Sequence, residues 1–360
     1  MERPKSALLC STDAIPIAEV QKRGHQWPMF RHRISQLSPI PTGWQALQHA
    51  ILSDGTLAVA ATDVDLENEW ARIFASDGPV DPPSRIEQIT NSGRACLLTW
   101  VADRWHRGPT FPLETPNPLV DRFSDGRWLV VGSRTLSEPN ARVLAPDGEL
   151  LARFMLGDGI EHIAIDSADR IWVGWFDEGM SGEGWSVPGM EWPPYSNGVA
   201  CFASDGSVVE VPSWPKQAGF IADCYALTPH GSGVWTSPYT DFPLVRFVPG
   251  KPTRWWRSEL AGPKAIAVDG NRALVAGGYL DEEARLTLIG VEEPGNGEEG
   301  VPLGTWRMPL RPAPPARNDW APVWESPALL TGRGDTLHLI DDGKWHQCRV
   351  ADAVAALGRH

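Results

Sequence analysis

The chain has 360 residues and a net charge of −13, with 35 glycines, 33 prolines and 18 tryptophans. This acidic balance, without any basic tract, argues against nucleic acid and anionic membranes as partners, because both attract a basic surface. The five cysteines are widely spaced and odd in number, which predicts free thiols. No apolar run is long enough for a signal peptide or a membrane span, so we expect a cytoplasmic protein.

One hairpin pattern recurs along the chain. In its clearest copy, apolar residues including Ile163 and Ile165 precede a polar turn, Asp166–Arg170, and the aromatic run Ile171–Phe176 ends at Asp177. Alternating apolar residues around a polar turn predict an antiparallel hairpin. In chain order the copies are Gln48–Asp63, Pro118–Arg134, Ile160–Asp177, Ala222–Asp241, Pro263–Asp281 and Asn318–Asp335.

Small residues mark the middle of the first strand in these copies. The aligned positions are Ala50, Asp121, Ala164, Ala226, Ala267 and Ala321. In a propeller the first strand of each blade lies against the axis, where neighbouring blades crowd and a small side chain is favoured. The sequence therefore predicts an all-β fold, a six-bladed β-propeller of four-stranded antiparallel blades, as a single domain over residues 1–360.

The predicted blades follow one another with short connections. The strand-like stretch Met29–Leu37, within residues 1–41, precedes the first hairpin and is expected to complete the last blade, which removes an exposed sheet edge. In chain order the blades are Trp44–Trp105, Asn117–Leu156, one starting at Asp158, Ala218–Glu259, Gly262–Leu310, and one after the linker Arg311–Ala316.

Three further segments carry structural expectations. The long connection Glu178–Asn197 (residues 178–197) follows a second strand and contains several aromatic residues, so we expect an ordered loop on one face of the ring. The stretch Glu292–Gly300 is rich in glycine and glutamate and is expected to be a flexible loop. Residues Ala351–Leu357 are expected to form a short helix.

Candidate functional residues come from the face that holds the loops before first strands and after second strands. The acids that close second strands, such as Asp177, lie on this face, and the residues just before first strands line the mouth of the channel. The tryptophans of the long loop could form a wall for a sugar or a cation. The candidate ligand-binding residues are Glu161, His162, Asp177, Trp185, Trp192, Asp223, Lys264 and Asp319.

One of these residues, His162, and a further residue, Cys224, raise the question of catalysis. His162 is the candidate catalytic residue, as a base or as a ligand. Cys224 follows Asp223, and a neighbouring carboxylate raises a thiol's pKa, so we expect Cys224 to be a core residue and not a nucleophile.

The mouth also contains candidate metal ligands. Oxygen atoms of Glu161, Asp223 and Asn318, with Asp121 deeper in the channel, could hold Ca²⁺ or another divalent cation. The alternative is that these polar groups satisfy one another and the exposed ends of strands.

The hairpins resemble those of six-bladed propellers of the gluconolactonase–regucalcin type and of NHL-like repeats, most clearly in PKAIAVDGNRALVAGG. The phrases WVGWFDEG, IADCYAL and YTDFPLV resemble a group of bacterial propeller-like proteins without an assigned function. The resemblance implies the fold, and the first family implies a metal site of acids and amides at the starts of inner strands. Glu161, Asp223 and Asn318 match such positions, whereas Lys264 departs from the pattern.

The sequence contains no nucleophile elbow, no glycine-rich phosphate loop and no paired-cysteine zinc spacing. We therefore expect a cytoplasmic binding scaffold that presents an acidic, aromatic-rich loop face over the central channel to a protein or a small cationic or sugar-like ligand. The alternative is a lactonase-like or lyase-like enzyme with a divalent cation at the channel mouth.

Overall fold

The computed structural model describes residues 30, 32–66, 68–69, 88–135, 138–180, 190–279, 284–308 and 329–357. Its strands form six separate sheets, each built on four antiparallel strands paired side by side, and one sheet has a fifth strand that pairs parallel. The first strands of neighbouring blades contact one another around the ring. This is the predicted six-bladed β-propeller. Within the described residues, no helix combines the length and the apolar composition that crossing a membrane requires.

Blades 1 to 3 are consecutive four-stranded meanders. Blade 1 contains β2 (Gln45–Ile51), β3 (Leu57–Thr62), β4 (Arg94–Val101) and β5 (Arg104–Pro112). Blade 2 contains β6 (Pro118–Arg122), β7 (Trp128–Gly132), β8 (Ala141–Leu144) and β9 (Leu150–Phe154). Blade 3 contains β10 (Ile160–Ile165), β11 (Ile171–Trp175), β12 (Val199–Phe202) and β13 (Val208–Glu210).

Blades 4 to 6 depart from the simple meander. Blade 4 contains β14 (Leu227–His230), β15 (Gly233–Thr236), β16 (Leu244–Phe247) and β17 (Arg254–Arg257), joined by the distant β21 (Asn296–Glu299). Blade 5 contains β18 (Ala265–Asp269), β19 (Arg272–Ala276), β20 (Arg285–Gly290) and β22 (Val301–Arg307). Blade 6 contains β23 (Leu329–Arg333), β24 (Thr336–Asp341), β25 (Lys344–Arg349) and β1 (Arg33–Gln36).

Strand β1 is the outer strand of blade 6. It pairs antiparallel with β25, so that Arg33 lies opposite Gln347 and Gln36 opposite Lys344. The last blade thus combines three C-terminal strands with one N-terminal strand, which closes the ring without leaving the β25 edge open.

Short helices occupy connections and the C-terminal end. They include the helical turn Asp177–Met180, the 3-10 turns Pro194–Asn197 and Lys216–Ala218, and, at the end, the helix Val350–Leu357. The last of these confirms the helix expected from the sequence.

The clearest predicted hairpin is confirmed, and Asp166 explains its turn. In the β10–β11 pair Ala164 lies opposite Trp172 and Ile165 opposite Ile171. The Asp166 carboxylate accepts hydrogen bonds from the Ala168 amide at 2.8 Å and the Trp172 indole at 3.0 Å. Asp166 therefore fixes both the tight turn and the start of the second strand.

The alignment of the sixth hairpin is wrong by one strand. The prediction made Leu329–Arg333 the second strand of a hairpin ending at Asp335, but it is the first strand of blade 6 and pairs with β24. Gly334 has a φ of 56°, and the two residues Gly334 and Asp335 form the turn. Asn318, Asp319 and Ala321 therefore do not start the inner strand, and they lie outside the described residues.

The expected flexible loop at Glu292–Gly300 is an added strand. Within it, β21 pairs parallel with β17 of blade 4, and the Trp256 indole donates to the Glu292 carbonyl at 2.5 Å. A Cβ atom at Gly295 would come within 2.5 Å of the Trp256 ring. Glycine at this position lets the backbone lie on the tryptophan, which is the physical reason that a glycine-rich stretch becomes ordered here.

Apolar side chains fill all six gaps between neighbouring blades in the described part of the chain. A tryptophan contributes to each gap, as the sequence led us to expect of this residue type. Going round the ring from the gap between blades 1 and 2, they include Trp128, Trp175, Trp172, Trp235, Trp306 and Trp345.

The aligned small residues of the first strands occupy two kinds of position. Ala50 and Ala164 line the central channel, as expected. Ala226 and Ala267 are fully buried in the apolar packing between blades. The fifth alanine, Ala321, lies outside the described residues.

Asp121, the one aligned residue that is not alanine, is the centre of a group of buried polar contacts, which we call the hub. Its Oδ1 accepts hydrogen bonds from the Ser53 amide at 2.7 Å and the Arg122 amide at 2.8 Å, and its Oδ2 accepts one from the Ile165 amide at 2.7 Å. The Arg333 guanidinium also donates to Oδ2. Asp121 thus joins blade 2 to blades 1, 3 and 6.

Arg333 extends these contacts in return. Its guanidinium donates to the Ile51 carbonyl at 3.1 Å and the Leu52 carbonyl at 3.0 Å, both in blade 1. The adjacent Gly334 amide donates to the Pro229 carbonyl of blade 4 at 3.2 Å, and the Gly334 carbonyl accepts from the Val268 amide of blade 5 at 2.7 Å. The ion pair and its neighbour therefore connect all six blades at the axis.

Removing one partner of this ion pair should be severely destabilising. Asp121→Ala leaves the Arg333 charge buried without its partner, so we expect the free energy of unfolding to fall by about 3–5 kcal/mol. Urea denaturation measures this.

The matched control is Asp125→Ala in the turn of the same blade. Asp125 pairs with Arg127 at the surface, with 49% of its side chain exposed, and its loss should cost less than about 1 kcal/mol. Equal losses for the two variants would contradict the role assigned to the hub.

Candidate functional site

Residues at the start of the first strands and after the second strands form a continuous polar and aromatic patch across blades 3, 4 and 5. We call it the acid–tyrosine site. It consists of Glu161, Asp177, Asp223 and Lys264, together with Tyr225, Tyr239, Phe242 and Tyr279.

The local backbone fixes the position of Asp223. Asp223 forms an isolated bridge with Tyr239, in which the Tyr239 amide donates to the Asp223 carbonyl at 2.9 Å and the Ala222 amide donates to the Tyr239 carbonyl at 2.8 Å. This bridge extends the β14–β15 hairpin beyond its regular strands and presents the Asp223 carboxyl half-buried at the face.

The carboxylates of this site repel one another. Burial raises the pKa of Asp223 from its ordinary value of 3.8 to about 6, and the negative charges of Glu161 and Asp177 act in the same direction. The ammonium of Lys264 opposes them. The structure thus brings together four residues predicted from the sequence, with more negative than positive charge.

The four aromatic residues pack as one cluster. The rings of Tyr225 and Tyr239 stack with centroids 6.1 Å apart, and Phe242 meets Tyr225 edge-on at 5.1 Å. The Tyr279 hydroxyl donates to the Tyr225 hydroxyl at 2.9 Å. Burial, followed by this hydrogen bond, raises the pKa of Tyr279, so its phenol stays protonated in neutral solution.

Lys264 connects the aromatic and acidic halves. Its ammonium lies 4.5 Å from the centroid of the Tyr225 ring, which is a cation–π contact. The same charge acts on Asp223 and on His162. Lys264 is therefore the positive group of an otherwise negative site, although the family resemblance implied an acid or amide there.

His162 lies beneath this face and lines the central channel. Its Nε2 atom is buried without a hydrogen-bond partner. Burial lowers the pKa of His162, whereas Glu161 and the backbone of Tyr225 and Cys224 act in the opposite direction. The predicted catalytic candidate is thus a buried ring at the base of the site.

The channel itself is narrow. Its cavity of about 90 Å³ is lined by inner-strand residues such as His49, His162 and Arg333. That volume holds a few water molecules and is below the size of pockets for organic ligands. A ligand of any size would therefore sit over the face and not within the channel.

Cys224 is a core residue, as predicted. It is fully buried, and its Sγ lies 3.4 Å from the Thr236 hydroxyl. Burial raises the pKa of the Cys224 thiol to about 12, with Asp223 and Glu161 acting in the same direction. The thiol is therefore no nucleophile.

The proposed cation ligands do not come together in the part of the chain that the structure describes. There, no three His, Cys, Asp or Glu side chains are arranged to hold a metal ion. Asp121 already accepts from three amides and Arg333, and Lys264 lies beside Glu161 and Asp223. The described residues therefore show no site for a divalent cation, and Asn318, the fourth predicted ligand, lies outside them.

The remaining predicted residues are exposed or fall outside the described residues. Trp192 is 68% exposed. Trp185, Asn318 and Asp319 fall outside the described residues.

Sequence reasoning missed the tyrosines, although a signal was present. The chain has only 4 tyrosines. Tyr225 precedes a first strand, whereas Tyr239 and Tyr279 each follow a second strand and stand two residues before the closing acid of the hairpin. Both placements lead to the same face of the ring. The hairpin repeats therefore contained the information that three of the four tyrosines lie on that face.

No protein-family model matches the chain, and no curated protein matches it. Solved structures that resemble it include Hsv2 from Kluyveromyces lactis, at 9% identity and a TM-score of 0.48 over 88% of this chain and 78% of the other. A proposed gluconolactonase has 11% identity and a TM-score of 0.44 over 90% and 94%. The PQQ-bound aldose sugar dehydrogenase of Streptomyces coelicolor has 15% identity and a TM-score of 0.43 over 89% and 98%. The six-bladed architecture therefore rests on the strand pairing of this chain itself.

The raised pKa of Asp223 gives stability a defined pH dependence. Because the folded protein binds this proton more tightly than the unfolded chain, the contribution of Asp223 is fully present below its ordinary pKa of 3.8 and is lost as pH rises through about 6. We expect Asp223→Asn to raise the melting temperature at about pH 7.5 and to change it little at about pH 4.

The control for this experiment is Asp269→Asn, at the other end of the blade 5 inner strand, where the side chain is exposed. It should leave the pH profile of the melting temperature unchanged. A destabilised Asp223→Asn protein at the higher pH would refute the electrostatic account of the site.

Proposed function

We propose that the protein is a cytoplasmic binding protein that holds a small organic cation at the acid–tyrosine site. The observation that carries the proposal is that an aromatic cluster already holds one cation, the Lys264 ammonium, beside an acidic group. Three carboxylates, those of Glu161, Asp177 and Asp223, interact with one ammonium, that of Lys264. A ligand cation over the tyrosine rings would favour the ionised form of Asp223, whose pKa is raised by burial and by repulsion from Glu161 and Asp177.

Lys264 supports the choice of ligand class. Its ammonium already makes a cation–π contact with Tyr225, so these rings accept a positive group at this distance. Lys264 is exposed and has a long flexible stem, which lets it move aside for a ligand. We infer that the lysine occupies the cation position until a ligand replaces it.

The cytoplasmic part of the proposal rests on the thiols. Within the described residues Cys96, Cys201, Cys224 and Cys348 are all free and buried. Unpaired cysteines are usual in a reducing compartment.

Choline and its uncharged carbon analogue are suitable probes, with binding measured by calorimetry. We expect choline alone to bind, and its affinity to increase as pH rises through about 6, because the cation favours the ionised form of Asp223. Tyr225→Leu should weaken binding by about fivefold to thirtyfold, the range of a partly desolvated cation–π contact. Equal binding of the two probes would overturn the proposal.

Lys264→Met tests the competition directly. Removing the lysine uncovers the Tyr225 ring and takes away a positive charge that repels the ligand. We therefore expect choline to bind about threefold to tenfold more tightly. The matched control is Lys251→Met, in an exposed turn of blade 4, which should leave the affinity unchanged. Weaker binding by the Lys264 variant would show that the lysine serves the ligand and does not compete with it.

A second candidate is an enzyme, and the pKa of Asp223 favours it. A carboxyl group with a pKa of about 6 can both accept and donate a proton near neutral pH, as a lyase-like reaction requires. Asp223→Asn distinguishes the two functions. For a binding protein it lowers choline affinity, whereas for an enzyme it abolishes turnover of a substrate that still binds.

A further inference from the structure

Exposed aromatic side chains are concentrated on the face that holds the acid–tyrosine site. Among the described residues they are Trp192, Phe220, Tyr239 and Tyr279, with exposed fractions between 42 and 68%. Trp192 lies in the connection after the second strand of blade 3, Phe220 precedes the first strand of blade 4, and both tyrosines follow second strands. Single exposed apolar residues are ordinary on a protein surface, whereas a group on one face indicates an interaction site.

Two of these rings belong to the site itself. Tyr239 stacks on Tyr225 with centroids 6.1 Å apart, and Tyr279 meets Tyr225 in a T-shaped arrangement, also at 6.1 Å. Tyr225 is the ring over which the Lys264 ammonium lies. The position of the cation is therefore bordered by two rings that keep much of their apolar surface in water.

Phe220 extends this apolar surface beyond the tyrosines. On its C-terminal side, the Ala222 amide donates to the Tyr239 carbonyl at 2.8 Å. On its N-terminal side, a Cβ atom at Gly219 would lie 3.1 Å from Oδ2 of Asp241. Because the chain approaches the residues after the second strand of blade 4 on both sides of Phe220, this residue lies at the border of the site.

Although its side chain is exposed, Phe220 belongs to an anchored backbone. The next residue, Ile221, is buried in the gap between blades 3 and 4. The Trp214 indole donates to the Gly219 carbonyl at 2.9 Å, and Gly219 has a φ of 81°, which glycine adopts without strain. A surface that is already formed costs little ordering when a ligand covers it, which favours binding.

Charge and apolar surface thus lie side by side on this face. The carboxylates of Glu161 and Asp177 act on Asp223, so negative charge is concentrated around the Lys264 ammonium. The exposed rings next to it carry no charge. A ligand that complements both parts has one cationic end and one apolar end.

We propose that the ligand of the acid–tyrosine site is an amphiphilic cation, an ammonium that carries an apolar group of several carbon atoms. The ammonium takes the place of the Lys264 ammonium over Tyr225, and the apolar group lies across Tyr239 towards Phe220. This inference rests on the proposed function and adds the class of the ligand. A cation without an apolar group, such as choline, would use the charge of the site and leave these rings in water.

Alkyltrimethylammonium ions of increasing length test the proposal, with binding to the full chain measured by calorimetry. Tetramethylammonium, butyltrimethylammonium and hexyltrimethylammonium have the same charge and differ only in the tail. Full burial of a methylene group increases affinity about fourfold, so on a half-covered surface we expect about twofold per methylene, or about tenfold to thirtyfold over the series. An affinity that does not change with tail length would overturn the proposal.

Phe220→Ser separates the tail from the cation. We expect this variant to bind tetramethylammonium as the wild type does, and hexyltrimethylammonium at least about threefold more weakly. The matched control is Leu151→Ser, which removes an exposed apolar side chain from β9 of blade 2 and should leave both affinities unchanged. Equal affinities of the two variants for hexyltrimethylammonium would refute the role of Phe220 and with it the proposal.

1-Hexanol, which has the same tail without the cation, excludes general apolar binding. We expect it to bind at least about tenfold more weakly than hexyltrimethylammonium, and equal binding would contradict the proposal. Binding of tetramethylammonium with no gain from the tail refutes this inference and leaves the proposed function standing. Absence of binding by every ion in the series refutes both.

Fluorine NMR locates the tail without any substitution at the site. Because the chain has only 4 tyrosines, labelling with 3-fluorotyrosine gives a small set of resonances. We expect hexyltrimethylammonium to shift the Tyr239 resonance more than tetramethylammonium does, and neither ion to shift that of Tyr195, which is buried between blades 2 and 3. The same shift of Tyr239 with both ions would show that the tail lies elsewhere, against the proposal.

Discussion

The carboxylate of Asp121 holds several parts of the ring that are far apart in the sequence. It accepts amides from Ser53 and Ile165 and pairs with Arg333, which stands 212 residues away. A buried ion pair adds little net stability over apolar packing, but breaking it leaves an uncompensated charge. Its main effect is therefore to define one arrangement of the blades, while the tryptophan-filled gaps between them supply the apolar burial.

This arrangement determines where binding can occur. The inner strands approach so closely that a Cβ atom at Gly332 would lie 1.7 Å from the Ile266 carbonyl oxygen. The channel between them is accordingly too narrow for an organic ligand. The two faces remain, and the acid–tyrosine site on one of them brings the carboxylates of Glu161, Asp177 and Asp223 together with the Lys264 ammonium.

The repeat pattern predicted the fold because a hairpin is a local structure. Alternating apolar residues and a polar turn predicted β10 and β11 correctly. The same repeats placed the four charged residues Glu161, Asp177, Asp223 and Lys264 on one face of the ring, where the structure has them. The sixth copy failed because its turn is only two residues long, so the pattern was matched one strand too early. The added strand β21 depends on contact with Trp256 of another blade, which no local pattern contains.

The hub and the tyrosine cluster lie beyond local patterns for the same reason. Asp121 stood out as the exception among small residues, but its role depends on Arg333, at the end of the sequence repeat that was misaligned. The tyrosines meet only when three blades are placed side by side.

Native-state hydrogen exchange of the two amides bound to Asp121 tests the hub most directly. Ser53 lies in a turn and Ile165 ends a strand of another blade, so nothing local makes their exchange alike. If Asp121 holds the ring together, both amides should open only with global unfolding, with free energies of exchange within about 1 kcal/mol of each other. Exchange of the Ser53 amide at the rate of an exposed turn would contradict the account.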